Sequence, residues 1–311
     1  MEIRTMGSSN DSIIDNVKGD RYDILIIGPV SLDCNIDYLG NERRELGGAI
    51  VQSGYAAANS DNKVAVYTKF NQTEVDKNNL FEDIDNITLM VNNSSHTCSI
   101  KNIYNTPDCE ERKCISAGVC DRFYFDEIRD ITTDIYYFAG LIDGDFDEDM
   151  IKDASMYGKT ALDTQAVLRY VREDGNMDFR DWANKKKYMP YIEYLKADAK
   201  EAKILTGCDD RYEAAKVLKE YGAKEIMISH NTEMLIYDGN EFYTCPVVSD
   251  NLSGRTGRGD TVFAAYVTER RRKSIKDALQ YATALVSLKM ETPGPYRGTR
   301  EDVYEYIKRK Y

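Results

Sequence analysis

The sequence has no run of about 18 consecutive apolar residues and no charged-then-apolar pattern at its start, so no membrane span or secretion signal can be read from it. It has only two histidines, His96 and His230, and its seven cysteines contain no Cys-x-x-Cys pair. An odd set without that spacing fits reduced thiols better than a disulfide framework, and a cytoplasmic protein is the expectation. Cys98, Cys109, Cys114 and Cys120 fall near His96, but their spacings match no common zinc pattern, and plain thiols are the simpler reading. Excess positive charge is missing too. With 53 acidic against 41 basic side chains the formal net charge is -12, which removes a general attraction to nucleic acid or an anionic membrane.

Two cofactor signatures are also absent. The turn Ile27-Gly28-Pro29, after an apolar run, lacks the Gly-x-Gly-x-x-Gly of a dinucleotide-dependent oxidoreductase. No Gly-x-x-x-x-Gly-Lys-(Ser/Thr) occurs, which argues against a P-loop enzyme.

What is present is a βαβ rhythm. Apolar runs at 22–28, 63–67, 134–140, 159–163 and 224–229 read as strands, with helical segments between them. Gly47-Gly48-Ala49 opens a helix whose Ala56-Ala57-Ala58 segment suits close packing. Ser31 to Tyr38 alternates, as in a strand of a separate, more exposed sheet, and Thr97 to Phe125 combines β-favouring residues with turn signals, as in the hairpin of a small lid. Ile275, Ala278, Leu279, Ala282, Leu285 and Val286 repeat with the helical period, and that helix stops at Thr292-Pro293-Gly294-Pro295. Arg270-Arg271-Arg272-Lys273 reads as a solvated helix end. Residues 1–20 carry no sustained period and read as a flexible leader. With no internal repeat, the expectation is one doubly wound, mostly parallel α/β domain over 21–311, with lid segments at about 31–46 and 96–125.

The stretch most suited to chemistry is Ser253-Gly254-Arg255-Thr256-Gly257-Arg258-Gly259-Asp260-Thr261. Its glycines let a backbone approach a ligand closely, and the apolar spacing of Val262, Phe263, Tyr266 and Val267 starts a helix near Asp260. The unpaired N–H groups of such a helix start attract phosphate. The same pattern equally describes a loop with an N-capping Asp.

Taken together, these segments resemble the PfkB/ribokinase family of carbohydrate kinases, from about residue 22 to 307. Gly47-Gly48-Ala49 is similar to the family's first glycine signature, Gly257-Arg258-Gly259-Asp260 to its second, and Asp198-Ala199-Lys200-Glu201 to its Asn-x-x-Glu. Asp163-Thr164-Gln165-Ala166-Val167-Leu168-Arg169 and the segment from Ala284 to Pro295 resemble the myo-inositol kinase-like branch. The resemblance implies a ribokinase-like fold with a small β-sheet lid, and ATP and Mg²⁺ as cofactors. It implies Asp260 as general base, with the N–H groups of Gly257, Arg258 and Gly259 as anion hole. Asp198 and Glu201 would hold the metal, although acids at this spacing are also an ordinary helical pair. Asp33, Gly47, Gly48, Gln52, Gln165 and Arg169 would meet the acceptor, and Ser229, Asn231, Thr256, Gly257 and Gly259 the donor. Without the resemblance, Asp33 is a turn acid and Gln52 and Arg169 are surface residues. Both histidines read as structural.

The expected acceptor is a small sugar or cyclic polyol, myo-inositol first, with fructose, ribose, a sugar acid or a nucleoside as alternatives. A homodimer through the lid is implied, and no nucleic acid or membrane partner. The chain departs from the pattern at Gly254-Arg255-Thr256, at Arg258, and at Asn231-Thr232-Glu233-Met234, where relatives have Gly-x-x-Gly. The last departure motivates a second class of reading, a non-catalytic sugar-binding pseudokinase.

Overall fold

Strands with no polar face form the centre of the molecule, because a strand covered by helices on both sides buries every residue. The computed structural model describes residues 2–5, 20–106, 112–251 and 253–311. The strands are β1 (Glu2–Thr5), β2 (Arg21–Tyr22), β3 (Ile24–Ile27), β4 (Ser31–Ile36), β5 (Glu42–Gly47), β6 (Val64–Phe70), β7 (Ile87–Asn93), β8 (Cys98–Tyr104) and β9 (Arg112–Gly118). They continue with β10 (Thr132–Thr133), β11 (Ile135–Phe138), β12 (Lys159–Asp163), β13 (Arg169–Val171), β14 (Met177–Phe179), β15 (Tyr194–Asp198), β16 (Glu225–Ser229), β17 (Glu233–Tyr237) and β18 (Phe242–Pro246). The α-helices are α1 (Ala49–Ala58), α2 (Asp149–Ser155), α3 (Gln165–Leu168), α4 (Lys185–Tyr188), α5 (Ala199–Thr206), α6 (Arg211–Glu220), α7 (Arg258–Glu269), α8 (Ile275–Lys289) and α9 (Arg300–Lys310).

Ten strands form the main sheet in the order β1-β7-β6-β3-β11-β12-β15-β16-β17-β18. Pairing is parallel from β1 to β16 and antiparallel at β17 and β18. Every residue of β3, β6 and β11 is buried. The chain leaves β3 toward β6 and β7 and returns on its other side at β11, so the strand order reverses there, and α/β sheets bind ligands outside the carboxyl ends at such a reversal. Register brings Asp163, the last residue of β12, opposite Lys196, and Asp198, the last of β15, opposite Ser229.

The lid is a four-stranded sheet in the order β5-β4-β8-β9. The hairpin of β13 and β14 was not legible in the sequence, because three-residue strands carry no usable period, yet it reaches the lid through the Ser116 N–H, which donates to the Gly175 carbonyl at 2.9 Å.

Several expectations change. Glu2–Thr5 lies inside the stretch read as leader but pairs in parallel with β7; four residues are too few to announce a strand. The rest of residues 1–19 lies outside the described residues, as does Cys109. The basic run after α7 is not simply solvated. Arg270 pairs with Glu225 at 3.0 Å, and Arg271 reaches Asp23 at 2.5 Å and Asp134 at 2.6 Å, so two of its members tie the end of α7 to the sheet. Among the described residues no helix is long and apolar enough to cross a membrane.

Candidate active site

The first turn of α7 is set by one glycine conformation. Gly257 is the N-cap at φ 78, a left-handed backbone that a residue with a Cβ adopts at a cost. The Thr261 N–H donates to the Gly257 carbonyl at 3.0 Å, which leaves the amides before it without a helical acceptor. The Arg258 N–H turns to the Arg255 carbonyl at 3.3 Å and is therefore the weakest member of the expected anion hole. Helix α7 starts two residues earlier than the sequence suggested, so Asp260 stands inside its first turn rather than capping it.

Gln52, from α1, packs directly on this turn. A Cβ at Gly257 would lie 2.4 Å from Gln52 Cγ, and Gln52 Oε1 is buried without a hydrogen-bond partner. Ser53 Oγ lies 3.4 Å from the Asp260 carbonyl and 3.3 Å from the Tyr137 hydroxyl, which fastens α1 to α7.

The loop before the turn is held by α8. Lys289 is 1% exposed, and its ammonium donates to the carbonyl of Gly254 at 2.6 Å and to that of Thr256. The Gly254 N–H donates to the Met290 carbonyl at 2.8 Å, and a Cβ at Gly254 would stand 1.9 Å from the Thr292 carbonyl oxygen. This departure from the family pattern is thus a packing requirement. Gly254→Ala should overpack the loop, destabilise the protein by about 1–3 kcal/mol and lower Tm by several degrees in thermal unfolding. An unchanged Tm would contradict that packing.

Behind the turn lies a buried ionic cluster. Lys196, in the middle of β15, has its ammonium 3.0 Å from Asp163 Oδ2 and 3.6 Å from Glu201 Oε2. Burial works against its charge, but Asp163 and Glu201 outweigh burial and keep it protonated. Asp198 and Glu201 form a capping box at the start of α5. The Glu201 N–H donates to Asp198 Oδ1 at 2.8 Å and the Asp198 N–H to Glu201 Oε2 at 2.7 Å. Each carboxylate therefore spends one oxygen on the helix start. Burial, then the nearby Asp163 carboxylate, push Asp260 up to about 6, against the opposing pull of Lys196, Arg169 and Lys289. Burial lowers Lys289 to about 8, with Asp260 pulling it back up.

A cavity of about 630 Å³ opens beside Glu201, lined by Gln165, Arg169, Asp198, Glu201, Asn231 and the two arginines of the glycine-rich stretch, Arg255 and Arg258. Arg258 donates to Asn231 Oδ1 at 2.7 Å. Arg169 is only 5% exposed, with Nε donating to the Leu141 carbonyl at 2.7 Å, so it is not the surface residue its sequence context suggests. Gln165 Nε2 reaches the Gly140 carbonyl at 3.4 Å.

Other expected residues lie off this cavity. Asp33 faces Gly47, its Oδ2 being 2.6 Å from where a Gly47 Cβ would stand, and Gly48 caps α1. Gln52 joins that group to α7 through Gly257. Ser229 is buried at the end of β16 and Thr256 is exposed with its carbonyl held by Lys289, and Gly257, Gly259 and Asp260 do not line the cavity, so of the residues expected to meet the donor only Asn231 lines it. His96 is exposed and His230 bonds Thr232, and neither lines the cavity.

Lys289 and Lys196 escaped the sequence reading. A lysine inside the apolar strand Tyr194–Asp198 is a signal, because a charge there must be paired. Lys289 lies in the last turn of α8, where a basic residue is ordinary and carries no such signal.

The similarities of the chain agree with this geometry. The pfkB family carbohydrate kinase profile matches residues 100–302, well over half of the chain. A pyrophosphate-dependent kinase in the ribokinase family, solved with a pyrophosphate analog and myo-inositol, is 32% identical with a TM-score of 0.83, over 91% of this chain and 99% of that one. Ribokinase of Arabidopsis thaliana, solved with ribose and ATP, shares the fold at a TM-score of 0.72 and 14% identity, over 93% of this chain and 99% of that one. A cytidine kinase of Thermococcus kodakarensis is 30% identical over 79 residues, 24% of this chain and 28% of that protein. The glycine turn, the matched profile and the shared fold lead to one conclusion: the chain belongs to the pfkB family of carbohydrate kinases.

Proposed function

We propose that this protein transfers a phosphoryl group to a hydroxyl of a sugar or cyclic polyol, with myo-inositol as the first acceptor to test. The observation that carries the reading is Asp260 in the first turn of α7, beside the amides that follow Gly257 and with its carboxyl raised to about 6. Asp260 takes the hydroxyl proton as the oxygen bonds to phosphorus and the donor's bridging P–O bond breaks. The amides of Gly257 and Gly259, with that of Arg258 in a lesser part, face the charge gathering on the transferred group. Asp33, Gly47, Gly48 and Gln52 orient the acceptor, and the orphaned Gln52 Oε1 suits a hydroxyl donor.

Asp198 and Glu201, at the wall of the cavity and each with one oxygen outside the capping box, would hold a hard cation such as Mg²⁺ through water, which would supply charge neutralisation for the donor. The family resemblance suggests ATP as donor. The cavity favours inorganic pyrophosphate, with Lys200, Arg255, Arg258 and Arg169 on its wall for a compact polyanion, and the 32% identical pyrophosphate-dependent kinase supports the same choice. The turn where relatives carry Gly-x-x-Gly is closed by the His230 N–H donating to the Glu233 carbonyl at 3.1 Å, with Met234 fully buried. The test is acceptor-dependent phosphorylation across inositols, pentoses, hexoses, sugar acids and nucleosides, with pyrophosphate, ATP and GTP compared. Turnover with pyrophosphate and an inositol is expected; turnover with ATP alone would return the donor to a nucleotide. The stretch shared with the cytidine kinase keeps a nucleoside acceptor as the second reading. Acceptor binding by calorimetry without turnover on any donor would favour a pseudokinase. A homodimer through the lid, whose β4–β5 turn leaves Leu39 69% exposed, belongs to the same proposal.

The pH profile offers a further check. A base raised to about 6 is protonated and inactive below that pH, so kcat/KM should fall about tenfold per unit below about 6 and level off above it. Asp163→Asn removes the anion that raises Asp260 and frees Lys196 to lower it further, so the limb should move to lower pH. A limb that stays in place would belong to another group.

A further inference from the structure

Two of the cysteines flagged in the sequence meet in the fold, with a partner the sequence could not show. Cys98 begins β8, Cys120 lies just past the end of β9, and Asp145 sits in the loop between β11 and α2. One ligand atom from each, two thiol sulfurs and a carboxylate oxygen, lies within 4.8 Å of the others. All three residues are buried, at 3%, 6% and 1% exposure. Cys114 is not part of this group; its thiol donates to Asn102 Oδ1 at 3.3 Å.

We propose that Cys98, Cys120 and Asp145 form a binding site for a thiophilic divalent cation, Zn²⁺ in the first instance, at the base of the lid. The independent observation is the carboxylate. Asp145 Oδ2 accepts the N–H of Leu141 at 2.6 Å and of Ile142 at 3.0 Å, which fixes the group, while Oδ1 is buried with no hydrogen-bond partner. An orphaned, oriented carboxylate oxygen beside two thiols is a cost without a cation and a ligand with one. The Cys120 N–H donates to Cys98 Sγ at 3.3 Å, which holds that sulfur in place within the group. Two thiolates and a carboxylate around Zn²⁺ leave one net negative charge. Lys69, 4% exposed, adds positive charge near Cys120, although it also pairs with Glu127 at 2.6 Å. Three protein ligands leave a fourth tetrahedral position for water. Binding exchanges the two S–H protons for the metal; both pass to the buffer and no electron is transferred. The ion would tie both ends of the β8–β9 hairpin to the loop whose Leu141 carbonyl holds Arg169.

The test is a titration of the chelator-stripped, reduced full-length protein with Co²⁺ and then Zn²⁺. One equivalent of Co²⁺ should give thiolate-to-metal charge-transfer absorption, which carboxylates such as Asp198 and Glu201 cannot produce, and Zn²⁺ should bleach it with release of protons. The absorption should vanish in Cys98→Ala and Cys120→Ala and persist in Cys208→Ser. In Asp145→Asn, a near-isosteric change checked for folding by circular dichroism, affinity should fall by more than the about 10–100-fold typical of losing an outer partner. A wild-type protein with no such absorption, or absorption that survives Cys98→Ala, would overturn the site without any need for a folded variant. A Cys98–Cys120 disulfide under reducing buffer would overturn it as well.

Discussion

Asp260→Asn should lower kcat by about 10²–10⁴-fold, the usual contribution of a positioned base, while acceptor affinity in calorimetry changes little. The exchange keeps the shape of the first turn of α7 and removes only the proton acceptor. It should not unfold the protein. A carboxyl raised to about 6 is less favourable as an anion in the folded chain than in the unfolded one, so at pH 7 its charge opposes folding. Replacing it by a neutral amide should leave Tm unchanged or raise it. Loss of turnover with preserved Tm isolates the chemistry; near-normal turnover would sink the assigned base.

Lys289→Met should produce the second large loss by a different route. The buried ammonium holds the carbonyls of Gly254 and Thr256, and each carbonyl left without a donor costs about 1–3 kcal/mol. Stability should therefore fall. If the loop shifts enough to displace one amide of the anion hole, kcat falls by about 10²–10³-fold. Lys289 is a positioning residue, and one readout separates this role from general destabilisation. Its positive charge lowers the Asp260 carboxyl, so its removal should move the acid limb of kcat/KM to higher pH, opposite to the shift expected of Asp163→Asn. A lower Tm with an unmoved limb would reduce Lys289 to packing.

Legibility followed the range of the interaction. The strands at 135–138, 159–163 and 225–229 were readable because full burial in a parallel sheet demands continuous apolar residues, and α8 because its period repeats over fifteen residues. The short hairpin of β13 and β14, the edge strand β1 and the antiparallel β17 and β18 were missed, since their pairing rests on backbone hydrogen bonds and neighbours supplied by the fold. Asp198 and Glu201 cap α5 and also stand at the cavity wall, and only the first of these could be read from their spacing.

The sequence by itself determined the α/β class, the family and the position of the Gly257-Arg258-Gly259-Asp260 turn, because glycine spacing, strand composition and helix period act over a few residues and leave a local record. Only the tertiary structure decided what surrounds that turn. Gln52 on Gly257, Lys289 under Gly254 and Thr256, and Lys196 between Asp163 and Glu201 join residues far apart in the chain. Such contacts depend on which elements the sheet order brings together, and burial then sets the charges that a linear reading treats as ordinary surface ions.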